Sequence, residues 1–447
     1  MSAVIILQNL LTYSVNLADN IMLGKYSEVA MSGVSLANQV QFLLQMFAMG
    51  AANGVGVLAA QYWGKGDTKP IKKIFTSAAI IGTVLSALLG LAVIIAPETV
   101  LGLLTDKTSE IAEGSKYIVI MGFSYCIFTM TQLFLSMLRS VETVKIGFVI
   151  NAVSLVVNIS LNYMLIFGKF GCPEMGVEGA AVATLVSRYV EFIIVAFYVF
   201  RLDKKIKMKF RDLFVLDRSY IKDYLKTGLP LIGSATSWGI AMAIQTAILG
   251  RIDSPAVLGA NSIATTIFQV VSVLYTSTSN SASVIIGKTV GERDIPRVKL
   301  YAKRLQIIFV VIGIISGIIM FLCCDGILSL YNVADETRDL AKAFIYILSV
   351  TIIGSCYEAP ALCGIVSGGG DTKFVLFNDL IFMWGIVLPL SFLSAFVWHL
   401  PIPVTFFFLK CDQILKCFVA VVKVNRFKWI KELTRNEDTA KNCIKNF

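Results

Sequence analysis

The chain has 447 residues, of which 56% are hydrophobic and only 15% are charged, and its mean hydropathy is +0.76. This composition excludes a soluble globular protein of that length and predicts a polytopic membrane protein. The formal net charge of +10 would suit nucleic-acid binding only if the basic residues formed a continuous patch, and they do not.

Twelve runs along the chain are apolar and reach the length of about 20 residues that a membrane-spanning helix needs. These runs do not alternate with a period of two, as the strands of a membrane barrel do. In chain order the predicted spans are 2–23, 33–61, 71–96, 114–138, 146–167, 176–200, 221–250, 257–287, 304–323, 341–366, 374–398 and 401–422. The predicted fold is therefore an all-α polytopic membrane protein with twelve transmembrane helices.

Basic residues concentrate in alternate loops between these spans. The loops after spans 2, 6 and 8 are basic, whereas the loop after span 3 is acidic and the loop after span 9 is mostly acidic. The positive-inside rule places the basic loops in the cytoplasm, and an even number of spans places both termini there too. The sequence thus predicts a multi-pass protein of the cell membrane, surrounded by lipid, without a nucleic-acid partner.

The cysteines and the single histidine give no pattern typical of a metal site, a disulfide framework or a histidine-dependent catalytic site. Nine cysteines are scattered without a CxxC pair, and His399 is the only histidine. The GKT at 287–289 lacks the earlier glycine and the strand context of a phosphate-binding loop. These features argue against an enzyme, and we expect no cofactor.

The chain repeats itself at an offset near 226 residues. LGKYSEVAMSGVS, from Leu23, aligns with LGRIDSPAVLGAN, from Leu249, and GKGDTKP, from Gly64, resembles GERDIP, from Gly291. Both copies of the second pair fall in cytoplasmic loops after an even-numbered span, so the two halves share one orientation. The repeat predicts two six-helix bundles, an N-terminal lobe (1–200) and a C-terminal lobe (221–424).

Two further segments complete the predicted organisation. Residues 201–220 form a basic cytoplasmic linker between the lobes. Residues 425–447 form a cytoplasmic tail in which NRFKWIKEL mixes basic and aromatic residues, a pattern that predicts an amphipathic surface helix. Span 1 starts almost at Met1, whereas span 7 has the basic flank Lys222 and Lys226, so we expect the N-terminus to be truncated.

Asp19 is a carboxylate inside the first predicted span, about five residues from its outer end. A charged side chain in a membrane helix costs at least a few kcal/mol, about 2.5 to 3.5 on insertion scales. Such a residue therefore predicts a functional site that requires partners.

Four sequence strings, in order, resemble the MATE family of multidrug and toxic-compound extrusion antiporters, most closely its bacterial branches. They are ADNIMLG in span 1, AAQYWGKGD closing span 2, NISLNYMLIFGKFGCPEMGVEGAAVATLVSR across spans 5 and 6, and SGGGDTKF after span 10. The resemblance covers nearly the whole chain. It implies a secondary active transporter of small organic cations or other amphipathic drugs and metabolites.

The resemblance also implies a cation site in the N-terminal lobe, used for Na⁺ or H⁺. The matching positions are Asp19, Asn158, Asn162, Ala180 and Thr184. Asn158 and Asn162 are four residues apart and share one helix face, at a depth similar to that of Asp19. Carboxylate, amide, hydroxyl and carbonyl oxygens suit a hard cation, although an isolated asparagine pair is equally well explained by helix packing.

The C-terminal lobe offers fewer candidates. The repeat places Gln245 opposite Asp19, so this lobe has no carboxylate there, and the acidic residues that some relatives carry in span 7 are absent from SATSWGIAMAIQ. Glu358 and Asp379 are its remaining candidates for a substrate cavity, and Asp379 could instead lie near the cytoplasmic interface. Gln39 and Gln132 could face a wet cavity or bond between helices.

The sequence therefore predicts an exporter that couples Na⁺ or H⁺ influx to the efflux of organic cations by alternating access. We expect it to act as a monomer. The alternative is a lipid-linked precursor flippase of the same superfamily, which typically has two more helices and basic cavity residues. Arg188 is the one mid-helix arginine of the N-terminal lobe, which disfavours that alternative.

Overall fold

The computed structural model describes residues 2–105, 107–252, 255–329 and 333–435, and all regular structure in these ranges is helical. The helices of the N-terminal half are α1 (Ser2–Tyr26), α2 (Glu28–Gly64), α3 (Lys69–Ile95), α4 (Pro97–Gly102), α5 (Thr108–Gly122), α6 (Tyr125–Ser140), α7 (Lys145–Ile166) and α8 (Gly176–Phe197). Those of the C-terminal half are α9 (Arg218–Gly250), α10 (Pro255–Gly291), α11 (Ile295–Leu328), α12 (Asp335–Ala359), α13 (Thr372–Leu380), α14 (Leu388–Phe392), α15 (Ile402–Lys410) and α16 (Asp412–Asn425). Short π-helical stretches extend several of them, at Tyr198–Leu202, Pro360–Val366, Ile381–Val387 and Leu393–Val397.

Within the described residues, nine helices are long and apolar enough to cross a membrane, and the pair α5 and α6 makes ten if it is counted as one span. That pair was predicted as one straight span, but it bends by 54° at a short break. The last predicted span is likewise divided, into α15 and α16 at Cys411. The structure confirms an all-helical membrane protein with many spans.

The break between α5 and α6 lies beside a close helix contact. A Cβ added at Gly122 would lie 2.7 Å from a side-chain carbon of Ile94 and 3.2 Å from the carbonyl oxygen of Gly90. Gly122, the last residue of α5, therefore packs closely against α3, and the chain turns immediately afterwards. Hydropathy alone does not register such a break, because both arms of the bent pair are apolar.

Buried apolar side chains divide between the two halves of the chain. One continuous cluster joins α1 to α8, with contributions from the start of α9. The buried side chains of the C-terminal half form smaller clusters, one of them around α10, α11, α12 and α15. Each half therefore has its own core.

The two halves meet where α2 and α10 end. A Cβ added at Gly64 would lie 1.9 Å from the carbonyl oxygen of Lys288, and one added at Gly291 would lie 1.9 Å from that of Gln61. These two contacts are reciprocal, since each glycine touches the residue three positions before the other. Glycine at both positions allows the two backbones to touch.

The tail differs from its prediction. Helix α16 ends at Asn425, and residues 427–435 are not helical, so the predicted amphipathic surface helix is wrong for this part; residues 436–447 lie outside the described chain. Trp429 is fully buried against Gly369, and its indole nitrogen donates to the carbonyl of Val424 at 2.9 Å. An alternation of basic and aromatic residues fits an irregular segment with buried rings as well as it fits a surface helix.

Residues 427–435, called the strap below, cross from the C-terminal half to the N-terminal half. In the C-terminal half, the ammonium of Lys431 pairs with Asp371 at 2.8 Å. In the N-terminal half, the backbone N–H of Leu433 donates to the side chain of Gln61 at 2.8 Å, and the backbone N–H of Arg435 donates to the hydroxyl of Tyr62 at 3.1 Å. The strap lies over the ends of α2 and α10 where the two halves touch.

Candidate functional site

Asp19 lies on α1 with 7% of its surface exposed and faces α7. The side-chain amide nitrogen of Asn162 donates to the carboxylate of Asp19 and also donates to the side-chain oxygen of Asn158 at 3.1 Å. The amide nitrogen of Asn158 in turn donates to the hydroxyl of Thr184 on α8 at 3.3 Å. Four of the five predicted site residues therefore form one continuous hydrogen-bonded chain across three helices.

Local sequence explains why these side chains meet. Asn158 and Asn162 are one turn apart on the buried face of α7, and both are fully buried. Thr184 and Ala180 are likewise one turn apart on the buried face of α8. Ala180 contributes a small side chain, which lets α8 pack closely at this point.

One acceptor in the site has no partner. The side-chain oxygen of Asn162 is buried and makes no hydrogen bond, although buried amide oxygens are nearly always paired. The second carboxylate oxygen of Asp19 and the hydroxyl oxygen of Thr184 lie in the same site. These are hard oxygen ligands, so the residues present fit a proton or a hard monovalent cation better than a soft metal.

A cavity of about 210 Å³ opens beside this site. Helices α1, α2, α5, α7 and α8 line it, and its polar lining includes Asp19, Gln41, Gln45, Asn158 and Thr184. Gln39, which was predicted to face a cavity, is exposed and does not line this one. Gln132, on α6, is half-buried and also lies outside it.

The cavity contains an ion pair to which the sequence analysis gave no role in the site. Arg188 and Glu191 on α8 are 3.1 Å apart and nearly buried, and Arg188 also stacks on Phe128 with 4.8 Å to the ring centre. The sequence did carry an indication of this pair, because an arginine and a glutamate three residues apart in an apolar helix lie on the same helix face. With Asp19 deprotonated, the three ionisable side chains Asp19, Arg188 and Glu191 give the cavity a formal charge of minus one.

The C-terminal candidates occupy different surroundings. Gln245 is buried outside the large cavity, beside a much smaller one of about 10 Å³, and accepts a hydrogen bond from Lys410 at 3.0 Å. Asp379 accepts a hydrogen bond from Ser234 and pairs with Lys416 at 3.0 Å. Lys416 also lies 3.4 Å from Asp412.

Glu358 is half-buried in the last turn of α12, before Pro360. It does not line the cavity beside Asp19. The structure thus brings the residues of the predicted cation site together, whereas Gln39 and Gln132 lie outside it. In the C-terminal half, Glu358 and Asp379 both interact with Lys416, and Gln245 lies apart from them beside Lys410.

A helical protein with many spans and a charged, polar cavity enclosed among its helices belongs to the class of membrane transport proteins. The family model MatE matches residues 5–164 and 230–393, which is more than half of the chain. The chain belongs to the MatE family of transporters and is not an enzyme.

Curated relatives align over most of their length. The chain is 24% identical over 444 residues to the probable multidrug resistance protein NorM of Thermotoga maritima, covering 97% of this chain and 93% of the relative. It is 26% identical over 405 residues to the NorM of Photorhabdus laumondii, with 88% and 85% covered. A solved transporter of the MOP superfamily from Pyrococcus furiosus has the same fold, with a TM-score of 0.88, 17% identity, and coverage of 98% of this chain and 96% of that one.

Proposed function

We propose that this protein is a secondary active exporter of organic cations and other amphipathic drugs or metabolites, driven by Na⁺ or H⁺ influx through alternating access. The observation that carries this proposal is the hydrogen-bonded chain from Asp19 to Thr184, which borders a cavity and includes an unpaired buried oxygen on Asn162. A buried carboxylate with unsatisfied oxygen partners costs free energy unless it binds a cation or a proton.

Na⁺ and H⁺ would use the same atoms. Na⁺ would bind between the carboxylate of Asp19 and the free oxygen of Asn162, whereas a proton would neutralise Asp19 directly. Occupancy by either ion changes the charge at the contact between α1 and α7. This coupling requires that ion and substrate bind the two conformations with different affinities.

The proposed architecture is twelve transmembrane helices in two six-helix lobes related by a parallel repeat. Two observations support it. The family model matches two segments of similar length, one in each half. The reciprocal contacts of Gly64 and Gly291 have the arrangement expected of two equivalent helices related by an approximate twofold axis.

The charge of the cavity supports a cationic substrate. The excess negative charge near Asp19 attracts organic cations, and the names of the curated relatives refer to multidrug resistance. The lipid-precursor flippase is less well supported, because the cavity arginine Arg188 is already neutralised by Glu191 at 3.1 Å. A pyrophosphate headgroup would need uncompensated positive charge.

The test is uptake of a fluorescent organic cation into inverted membrane vesicles, driven by an imposed Na⁺ or pH gradient. Asp19→Asn should abolish the gradient-driven uptake while the protein remains folded and inserted. A matched control is Asp325→Asn, which removes an aspartate that is 72% exposed and far from the cavity. Undiminished uptake by the Asp19 variant would rule out the proposed coupling site.

A further inference from the structure

Lys410 is a buried lysine in the C-terminal half for which the proposed transport cycle has no use. It is the last residue of α15, and only 6% of its surface is exposed. Its ammonium donates to the side-chain oxygen of Gln245 at 3.0 Å, and no ion pair within the described residues includes it. A buried ammonium held by a neutral amide is unusual, because burial of a charge is normally offset by an opposite charge.

The position of Lys410 relates it to the cation site. Asp19 and Gln245 are 226 residues apart, and Thr184 and Lys410 are separated by the same 226 residues. In the N-terminal half, Asp19 and Thr184 are the two ends of the hydrogen-bonded chain. In the C-terminal half, the two matching residues bond directly to each other.

The segment that matches α7 lacks the two asparagines of the N-terminal site, and the polar neighbours that line the small cavity beside Gln245 include instead Asn261 and Thr265 of α10. The part of the chain at 381–390, which follows α13, is IFMWGIVLPL and contains no acidic, amide or hydroxyl side chain. The amide nitrogen of Gln245 accordingly meets the sulfur of Met383, at 3.5 Å. The cavity of about 10 Å³ beside it has room for no more than about one water molecule.

We propose that the ammonium of Lys410 is a tethered cation that fills, in the C-terminal half, the place equivalent to the exchangeable cation site of the N-terminal half. The inference rests on the proposed function, since it needs Asp19 to belong to a cation site and the two halves to be repeats. It explains why Gln245 replaces a carboxylate: a neutral oxygen is enough for a cation that cannot leave. The chain then exchanges ions at one site only.

Positive charge at Lys410 also excludes a second mobile cation from the same place. Two like charges within a few ångströms repel strongly in a medium of low dielectric constant. If a carboxylate replaced Gln245, it would pair with the ammonium and still leave no site for Na⁺. Only the combined removal of the ammonium and addition of a carboxylate would open a site there.

The experiment uses the full-length protein in detergent with Asp19→Asn in every sample, so that the N-terminal site is silent. The melting temperature is measured against Na⁺ concentration, at fixed pH and ionic strength, for three variants: Gln245→Asp, Lys410→Met, and both together. We expect Na⁺-dependent stability only in the variant with both changes. The proposal is overturned if Gln245→Asp with Lys410 retained gains the same dependence, or if the double change gains none.

A second measurement needs no variant of the C-terminal half. Binding of radioactive Na⁺ to the purified protein, with protons released on binding counted in parallel, should give one exchangeable ion per chain that Asp19→Asn removes entirely. A second ion that remains after that substitution overturns the tethered-cation proposal. If Asp19→Asn changes neither Na⁺ binding nor proton release, the proposed function is contradicted. The comparison of the three variants at Gln245 and Lys410 would still decide the role of Lys410.

Discussion

Asn162 has the most connected side chain in the candidate site. Its amide nitrogen has two hydrogens, and it uses them on the carboxylate of Asp19 and on Asn158. Its oxygen remains free for a cation. A single residue therefore fixes the orientation of the carboxylate and supplies a ligand, which makes it a sensitive position for mutation.

We expect Asn162→Ala to weaken the apparent affinity for the coupling cation by about tenfold or more, since a hydrogen bond to a charged group contributes about 1.5–3 kcal/mol. The measurement is the concentration of Na⁺ or H⁺ that gives half-maximal uptake in vesicles. Asn151→Ala is the matched control. Asn151 lies on the same helix and lines the same cavity, but its side-chain amide donates a hydrogen bond to the hydroxyl of Thr12 at 2.8 Å and not to Asp19. Equal effects of the two substitutions would assign Asn162 a packing role only.

The pair Arg188 and Glu191 gives a second test at the same scale. Arg188→Met leaves the carboxylate of Glu191 nearly buried and unpaired, which in protein interiors costs about 3–5 kcal/mol, whereas replacing both partners with apolar residues costs much less. We therefore expect the melting temperature to fall clearly in Arg188→Met and to recover in part when Glu191→Met is added. Additive losses in this double-mutant cycle would mean that the two side chains do not stabilise each other.

Side chains in the site were predictable to different extents. Asp19 was evident as a costly carboxylate in an apolar run, and the spacing of Asn158 and Asn162 placed them on one helix face. The structure brings these residues and Thr184 together as the resemblance implied. The bond from Lys410 to Gln245 could not be predicted, because it depends on how α15 packs against α9 and not on any local pattern.

At the scale of helices, hydropathy located the apolar segments but not their breaks. Spans predicted as straight are divided at α5 and α6, at α15 and α16, and by π-helical turns after α12 and α13. Most of these breaks lie at a glycine or at π-helical turns, as at Gly122 beside Gly90, and leave the apolar composition of the segment unchanged.

The break at Gly122 leads to a prediction about stability. Gly122→Ala places a methyl group 2.7 Å from Ile94 and should destabilise the protein by about 1–3 kcal/mol, the usual cost of overpacking. Gly326→Ala is the control, because a Cβ there meets nothing within 4 Å, and alanine favours the helix α11. Thermal unfolding in detergent measures both, and an unchanged melting temperature for Gly122→Ala would show that α3 and α5 can separate without cost.

At the scale of the whole molecule, the two halves are closed together at one end. Gly64 and Gly291 allow backbone contact between α2 and α10, and the basic loops that follow these helices predict that the contact lies on the cytoplasmic side. The strap adds hydrogen bonds to Gln61 and Tyr62 of the N-terminal half. In the proposed alternating-access cycle, opening to the cytoplasm has to break these contacts.

This requirement makes the strap a determinant of the conformational equilibrium. Tyr62→Phe removes the hydrogen bond that the backbone N–H of Arg435 donates to the hydroxyl of Tyr62 at 3.1 Å, a contact made only while the strap is docked on α2. If that contact contributes about 0.5–1.5 kcal/mol, the cytoplasm-open population should rise by roughly two- to tenfold. Distances between spin labels at positions 69 and 292 measure that population directly. Arg426→Ala, at an exposed position just before the strap, is the control and should leave the distances unchanged. Identical distance distributions for wild type and Tyr62→Phe would show that this strap contact does not hold the two halves together.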